Sequence, residues 1–405
     1  MGNLLSALLL QAGYNAALVA VGSALLGFAA GASGTFLFLR KRALVSDAVA
    51  HATLPGVGLA FIIMVALGGD GRSLLGLLAG SAVTAGIGLL LVEWIARRTR
   101  LSEDAAIGAV LSVFFGIGIV LLTVIQTMSA GRQAGLEGFL LGSTAGMLFQ
   151  DAVVIAVGGT LAVLATYLLR RPMTLVAFDP EYAAASGYDV RRIDLAMMGL
   201  VMAVTVIGLK LVGLILIVAM LIVPPVTARF WTERAGSVVW IAGALGGLAG
   251  YLGAAISASA PALPTGPIIV LVAAGLFLLS LFLAPARGVA AAVLRHRRFQ
   301  RRVHRRQGLL ALARSEPILE RYTLRVLRAE GLVRPDGVAT EAGRAQAAKV
   351  ARDERRWDIA REVHQDAGLT GRYDGLTPIE EVFTADEIEV FDSRLGGPRS
   401  VGGFA

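Results

Sequence analysis

The segment LRKRALVSDAVAHATLPGVGLAF, residues 39–61, decides the fold of this chain. Three basic residues, Arg40, Lys41 and Arg42, stand near its start, and a long apolar run follows them directly. A helix needs about 20 apolar residues to cross the hydrocarbon core of a bilayer. Basic residues between two such runs favour a loop on the cytoplasmic side of the membrane. The segment therefore predicts a cytoplasmic turn between two membrane-spanning helices.

The composition of the whole chain agrees with this interpretation. Of its 405 residues, 56% are hydrophobic and only 16% are charged, and the mean hydropathy is +0.71. These values exclude an ordinary soluble domain and indicate an all-α polytopic membrane protein. The charged residues are concentrated near the C-terminus. We therefore predict a transmembrane domain at 1–286, a basic juxtamembrane linker helix at 287–310 and a small cytoplasmic domain at 311–405.

The apolar runs predict about nine membrane-spanning helices, with eight as the alternative. Basic clusters follow every second span, which places the N-terminus outside and the C-terminal domain in the cytoplasm. The segment 194–228 decides the number, because one crossing there would move Arg229 and Arg234 away from the other basic clusters. Two crossings, with a turn near Gly213, keep all of them on one side. The predicted spans are 14–39, 44–69, 73–96, 105–126, 152–169, 194–210, 211–228, 236–257 and 265–284.

Asp47 and His51 form the first candidate site. They stand at positions i and i+4, so both side chains project from one face of the second predicted span. Ionisable groups inside a membrane normally face the bundle interior or an aqueous path, and imidazole with carboxylate suits Zn, Mn or Fe. Pro55 removes a backbone hydrogen bond one turn later and frees a carbonyl nearby. The alternative is that Asp47 caps its helix and His51 makes an interhelical hydrogen bond.

Two further places in the apolar region carry candidate residues. Glu103 and Asp104 open the fourth predicted span, where acidic residues also stabilise a helix N-terminus. We expect that simpler role for Glu103 and keep Asp104 as a lesser candidate for metal transit. Pro224 and Pro225 predict a break that lines a cavity, or simply the end of a helix.

Four stretches, taken in order, resemble the permease subunits of ABC importers for manganese, zinc and iron. The resemblance covers about residues 10–285, and its motifs are specific for the family but do not choose the metal. In the third stretch, the matching residues of the loop that contacts the ATPase are Glu181, Ala183, Ala184 and Gly187. The stretches are LRKRALVSDAVAHATLPGVGLAF at 39–61, LSEDAAIGAVLSVFFGIGIVLL at 101–122, FDPEYAAASGYDV at 178–190 and LVGLILIVAMLIVPPVTARF at 211–230.

This resemblance implies a function and a set of partners. The chain would belong to the cytoplasmic membrane of a bacterium and pair with a second permease, identical or related. Cytoplasmic ATPase subunits and an extracytoplasmic metal-binding protein would complete the importer. The chain has no G-x-x-x-x-G-K-[ST] pattern, so we expect it not to be an enzyme. We expect no permanently bound cofactor, only the transported divalent ion moving by alternating access.

The C-terminal region resembles a second family. The basic run RHRRFQRRVHRR, residues 295–306, favours contact with anionic lipid, and nucleic acid is not expected as a partner. Beyond it, a helix, the hairpin-like LVRPDGVAT at 332–340 and another helix resemble the winged helix of manganese- and iron-dependent repressors. That resemblance predicts a small α+β domain for interaction with protein, and it favours manganese or iron as the transported metal.

Two other functions stay open from the sequence. One is an ion-coupled secondary metal transporter or channel that uses Asp47 and Asp104 as relays, and it would need no ATPase. The other is a membrane-tethered DNA-binding regulator, in which the spans only anchor the C-terminal domain. Metal uptake that depends on an ATPase partner and on Asp47 and His51 would distinguish the importer from both.

Overall fold

Residues 2–69, 71, 73–128, 147–260, 263–363 and 375–395 are described in this computed structural model. The chain forms two compact units, Met1–Ala291 and Ala292–Ala405. The described part of the first unit is helical throughout. Its helices are α1 (Gly2–Leu8), α2 (Tyr14–Leu39), α3 (Val45–Ala66), α4 (Leu74–Arg98), α5 (Glu103–Thr127), α6 (Phe149–Phe178), α7 (Pro180–Ala185), α8 (Val190–Ala228), α9 (Ala235–Ala258) and α10 (Thr265–Leu283).

Among the described residues, eight helical segments are long and apolar enough to cross a membrane. They are α2 to α6, α9, α10 and the first part of α8, Val190–Leu209. The seventh predicted span, 211–228, corresponds to Val212–Ala228, which is helical and apolar but shorter than the others. The described residues thus contain eight candidate spans, whereas the predicted alternative of eight counted 194–228 as a single crossing.

The long helix α8 is interrupted at Gly213, whose φ is 74° and ψ is 171°. Glycine tolerates a positive φ because it has no Cβ. A Cβ placed on Gly208 would lie 2.6 Å from Cδ1 of Ile217, although a straight helix would separate these two residues by about 13 Å. The chain therefore bends back sharply at Gly213.

The bend reverses the direction of α8 along its neighbour α2. Before Gly213 the chain moves away from the C-terminal end of α2, and after Gly213 it returns toward that end. The contacts that show this are Asp194 with Arg40, Gly208 with Leu26, and Leu221 with Gly34. The reversal is the one that the positions of Arg229 and Arg234 predict.

Glycine allows the helix backbones of the bundle to approach closely. A Cβ on Gly27 of α2 would collide with the carbonyl of Gly246 of α9, and a Cβ on Gly246 would collide with the carbonyl of Gly27. Gly56 of α3 and Gly80 of α4 make the same reciprocal contact. These pairs bring α2 against α9 and α3 against α4 in antiparallel order.

The antiparallel packing brings the basic connections to one end of the unit, which we call the basic end. There the C-terminus of α2 meets the N-termini of α5 and α8 through ion pairs. Trp231, after α8, donates a hydrogen bond of 2.9 Å to Ser280 near the end of α10. The basic residues at this end are Arg40, Lys41, Arg42, Arg97, Arg98, Arg170, Arg171, Arg229, Arg234 and Arg287.

The second unit is also mainly helical where it is described. Its helices are α11 (Val289–Ala313, which begins in the first unit), α12 (Arg321–Ala329), α13 (Glu341–Val363) and α14 (Ala385–Leu395), with a short 3₁₀ turn at Ile379–Glu381. One apolar cluster forms around Leu309 and Leu327, and another forms around Trp357 and Phe391. Arg301 and Arg305 of the basic run pair with Glu330, so part of that run stabilises this unit internally.

The predicted α+β winged-helix domain is not supported. The segment 332–340 does turn back on itself at Gly337, and the N–H of Arg334 donates to the carbonyl of Val338 over 2.8 Å. However, the described tail contains only an isolated antiparallel bridge, Val333 with Ala339, and no β-strand. The arms are too short to extend the pairing, and Pro335 offers no backbone donor.

Candidate metal-transit site

Asp47 and His51 lie together at the start of α3, as their spacing predicts. Asp47 is in the first turn of the helix and His51 is one turn further along. Nε2 of His51 is 3.4 Å from Oδ1 of Asp47, and the two side chains are 19% and 37% exposed. At this distance the contact is longer than a good N–H···O hydrogen bond. The pair is therefore adjacent and accessible, but only loosely joined.

The separation of the two donor atoms suits a shared metal ion. An ion about 2.0–2.2 Å from each donor, at an angle between octahedral and tetrahedral, holds them about 2.8–3.6 Å apart. The observed 3.4 Å lies in this interval. The described residues contain no cluster of three or more His, Cys, Asp or Glu that could hold a metal. Asp47 and His51 are two candidate donors, fewer than a permanent metal site uses.

The imidazole of His51 has one unsatisfied nitrogen. Its Nδ1 atom is buried and has no hydrogen-bond partner. The ring packs edge-on against Phe115 of α5, with ring centroids 5.0 Å apart. A buried polar atom without a partner costs roughly 1–3 kcal/mol. His51 is therefore held by packing and not by hydrogen bonds.

Pro55 increases the polarity near His51. It lies buried inside α3, and because it has no N–H it cannot donate to the carbonyl of His51, four residues earlier. A Cβ on Gly118 of α5 would lie 3.4 Å from Pro55 Cδ, so α3 and α5 are close together here. The carbonyl of His51 therefore lacks its usual helical hydrogen bond.

The structure separates the two acidic residues at the start of α5. Asp104 is exposed on the surface of the helix. Glu103 instead forms an ion pair with Arg42, in which Nε of Arg42 lies 2.8 Å from Oε1 of Glu103. The first turn is capped by Ser102, whose Oγ accepts from the N–H of Ala105.

Glu103 belongs to a buried ion cluster that the sequence did not predict. Nε and Nη2 of Arg40 each lie 3.1 Å from an oxygen of Asp194, which is only 2% exposed. Arg42 reaches the same carboxylate at 3.4 Å and Glu103 at 2.8 Å. We call Arg40, Arg42, Glu103 and Asp194 the ion cluster. It joins the turn before α3, the start of α5 and the start of α8.

A signal for the ion cluster was present in the sequence. Asp194 stands at the start of a predicted apolar span, where an acidic residue needs a partner. In the sequence, Arg40 and Arg42 are already accounted for by the cytoplasmic orientation of the turn that contains them. The pairing joins residues more than 150 positions apart, and such contacts cannot be read from spacing.

Pro224 and Pro225 do not break their helix. Both are buried within α8, which continues to Ala228, and the non-helical residue in α8 is Gly213. Pro225 has no N–H for the carbonyl of Leu221, and that carbonyl lies against Gly34 of α2. The prolines thus allow a close contact between α8 and α2. The interruption of α8 lies earlier in the chain, at Gly213.

The segment that resembles an ATPase-contacting loop contains the short helix α7. Asp179 caps it by accepting from the N–H of Tyr182 over 2.9 Å, and Gly187 ends it with a φ of 86°. Ala183 is buried, whereas Glu181 and Ala184 are exposed. The exposed face presents polar and aromatic groups immediately before α8 and its Asp194.

Comparison with known proteins identifies the family to which this chain belongs. The model of the ABC 3 transport family matches residues 14–284. The manganese transport system membrane protein MntC of Bacillus subtilis is 42% identical over 73% of this chain and 66% of that protein. The zinc transport system membrane protein TroC of Treponema pallidum is 36% identical over 69% of this chain and 92% of that protein.

A solved structure has the same fold and a related sequence. PsaBC from Streptococcus pneumoniae, in complex with Fab, aligns with a TM-score of 0.58 and 31% identity, over 66% of this chain and 91% of that chain. This chain belongs to the ABC 3 transport family. It is a multi-pass protein of the cell membrane, and the family match ends before the second compact unit.

Proposed function

We infer that the chain is the membrane-spanning permease subunit of an ATP-driven importer for divalent transition metal ions. Support comes from the family match and from relatives named for manganese and zinc transport. ATP hydrolysis resides in separate cytoplasmic ATPase subunits, and an extracytoplasmic binding protein delivers the ion. Manganese and zinc are the first candidates for transport. Iron is proposed from the resemblance of the sequence alone.

The donor separation in the Asp47–His51 pair carries the proposal for the ion path. Two ligands 3.4 Å apart are enough to bind an ion briefly and too few to retain it, which is what transport requires. Both side chains are partly exposed on the surface of a single chain. In a pair of permeases this surface faces the partner, and the second copy or related subunit contributes the remaining ligands.

The ion cluster connects this path to the energy source. ATPase subunits dock on α7, and the movement of α7 passes directly to α8, which begins at Val190. Asp194 then transmits the movement to Arg40 and Arg42. Because Arg42 stands three residues before α3, α3 and its Asp47–His51 pair move with α8 between the two access states.

The orientation follows from the basic end. Positive residues are enriched in cytoplasmic loops, so the basic end and α7 face the cytoplasm and the N-terminus lies outside. The C-terminal unit is then cytoplasmic. We propose that it serves in protein interaction.

Metal uptake by the reconstituted complex tests the proposal. Vesicles with permease, ATPase and binding protein are compared for Mn, Zn and Fe uptake with wild type, Asp47→Ala and His51→Ala. Uptake should require ATP and fall at least about tenfold in each variant, as for ligand-supporting residues in other metal sites. Glu233→Gln, which removes an exposed carboxylate at the basic end, is the matched control. Unchanged uptake in both site variants contradicts the proposed path, and uptake without ATP contradicts the importer.

A further inference from the structure

A groove between α6 and α9 at the basic end has no part in the proposed ion path. It encloses a cavity of about 410 Å³. A Cβ added to Gly236 at its edge would meet no atom within 4 Å, so the groove is open there. The residues that define its chemistry are Tyr167, Arg170, Arg171, Leu175, Phe178 and Trp240. We call it the α6–α9 groove.

Aromatic side chains connect the two walls of the groove. The rings of Tyr167 on α6 and Trp240 on α9 have centroids 6.0 Å apart, and both side chains are exposed. Tyrosine and tryptophan favour the level of the lipid headgroups, where one end of the ring is apolar and the other is wet. The groove therefore lies at the depth of the membrane–water interface.

Two uncompensated positive charges stand in this groove. Arg170 lies over the ring of Tyr167, with Cζ 4.1 Å from the centroid. Such stacking fixes the plane of the guanidinium and leaves its N–H edge available. Within the described part of the chain, neither Arg170 nor Arg171 has a carboxylate within 4.0 Å. An arginine pair of this kind matches the two-oxygen geometry of a phosphate.

An apolar track leads from the arginines toward the middle of the membrane. Leu164, Leu168, Arg171 and Leu175 follow one face of α6 at helical spacing. Leu164 and Leu168 are exposed. A soluble phosphate has no apolar part to contact the leucines, whereas a phospholipid places its headgroup at the arginines and an acyl chain along the leucines.

We propose that the α6–α9 groove binds one anionic phospholipid. Its phosphate is held by Arg170 and Arg171, its glycerol region lies beside Tyr167 and Trp240, and one acyl chain follows Leu168. A zwitterionic lipid offers the same phosphate but also a cation, which two uncompensated arginines repel. The groove is thus selective for net negative charge.

Native mass spectrometry of the purified full-length chain, titrated with phosphatidylglycerol or phosphatidylethanolamine, tests the proposal. Wild type should bind phosphatidylglycerol more tightly. The double variant Arg170→Gln/Arg171→Gln should lower that affinity about 30-fold and remove the preference. Gly236→Phe fills the open edge of the groove without changing the charge, and it should weaken binding of both lipids.

A matched control is Arg100→Gln, which removes an exposed basic residue outside the groove and should leave the phosphatidylglycerol affinity unchanged. Circular dichroism confirms that each variant retains its helices, and the Gly236→Phe variant keeps both arginines if the double variant unfolds. Equal affinity for the two lipids in wild type overturns the proposal. Competition by glycerol 3-phosphate at the same concentration overturns it as well, because it would assign a soluble ligand.

Discussion

The Asp47–His51 pair and the ion cluster are two polar regions near the same end of one membrane unit, and they differ in how well they are satisfied. In the ion cluster, Asp194 is 2% exposed and receives two hydrogen bonds from Arg40 and a third contact from Arg42. In the pair, His51 has a buried nitrogen without a partner and a loose contact to Asp47. The buried carboxylate of Asp194 is compensated by arginines of the chain itself, although Nη1 of Arg42, 3.4 Å from it, has no hydrogen-bond partner. The Asp47–His51 pair has no such compensation.

This difference indicates separate roles for the ion cluster and for the Asp47–His51 pair. The buried ion pair of Asp194 with Arg40 holds its segments in one arrangement, since breaking it leaves an uncompensated charge. The Asp47–His51 pair is partly exposed and only loosely joined, so under the proposed function its donor atoms are available to a transported ion. Substitutions in the first region should therefore lower stability, and transport with it, whereas substitutions in the second region should lower transport alone.

The largest expected effect is on stability, from Asp194→Asn. This change removes the charge that compensates Arg40 and Arg42, so unfolding should become easier by about 3–5 kcal/mol. Thermal unfolding of the purified chain in detergent measures it. Arg192→Gln is the control, because it breaks an exposed ion pair with Asp189 in the first turn of α8 and should cost less than about 1 kcal/mol. Equal shifts in the two variants would remove the distinction between the regions.

The second effect should appear in transport but not in stability. Asp47→Asn keeps the size of the side chain and removes its charge, and we expect uptake to fall at least about tenfold. The melting temperature should stay close to that of wild type, because the contact between Asp47 and His51 is long and partly exposed. A marked loss of stability in this variant would assign Asp47 to the framework of the unit, like Asp194.

A third, smaller effect concerns the edge of the ion cluster. Arg42 and Glu103 are 2.8 Å apart but are more exposed than Asp194. A double-mutant cycle with Arg42→Gln and Glu103→Gln should give a coupling of about 1 kcal/mol in unfolding experiments. The same cycle with Asp104→Gln in place of Glu103→Gln should give a coupling near zero, since Asp104 is exposed. Equal coupling for the two acids would contradict their assignment.

The helical framework follows from local features of the sequence. Apolar length predicted the spans, and the charge pattern predicted a reversal near Gly213, where the structure has a positive φ. The spacing of Asp47 and His51 predicted that they share a face, because four residues return a helix to the same side. The role of that face in metal transit stays a prediction, and so do the roles assigned to Pro55, Glu181 and Gly187.

The features that the sequence did not predict depend on contacts between residues that are far apart in the chain. Adjacent prolines at 224 and 225 suggested a break, yet the free carbonyl of Leu221 is accommodated by Gly34 on another helix. The partner of Asp194 lies far away in the chain. In the tail, the predicted winged helix is not supported, because strand pairing in the described residues does not extend beyond the bridge of Val333 with Ala339.

The smallest expected effect on stability is in the tail, because the carboxylate of its ion pair between Arg356 and Asp392 is partly exposed to solvent. Arg356 donates to Asp392 over 2.7 Å, and this hydrogen bond lowers the pKa of Asp392. The folded state thus binds fewer protons than the unfolded state between the two pKa values, so stability rises with pH there. The contribution is complete above the unfolded pKa near 3.9 and disappears as the pH falls through the lower folded value. Since Asp392 is 39% exposed, we expect this ion pair to contribute less than about 1 kcal/mol to stability.

Hydrogen exchange in α13 and α14 of the full-length chain between pH 3 and 6 measures this pH-dependent stability. The variant Asp392→Asn should lose the pH dependence, and its membrane helices should be unchanged. A dependence that persists in Asp392→Asn would assign it to another carboxylate of the tail.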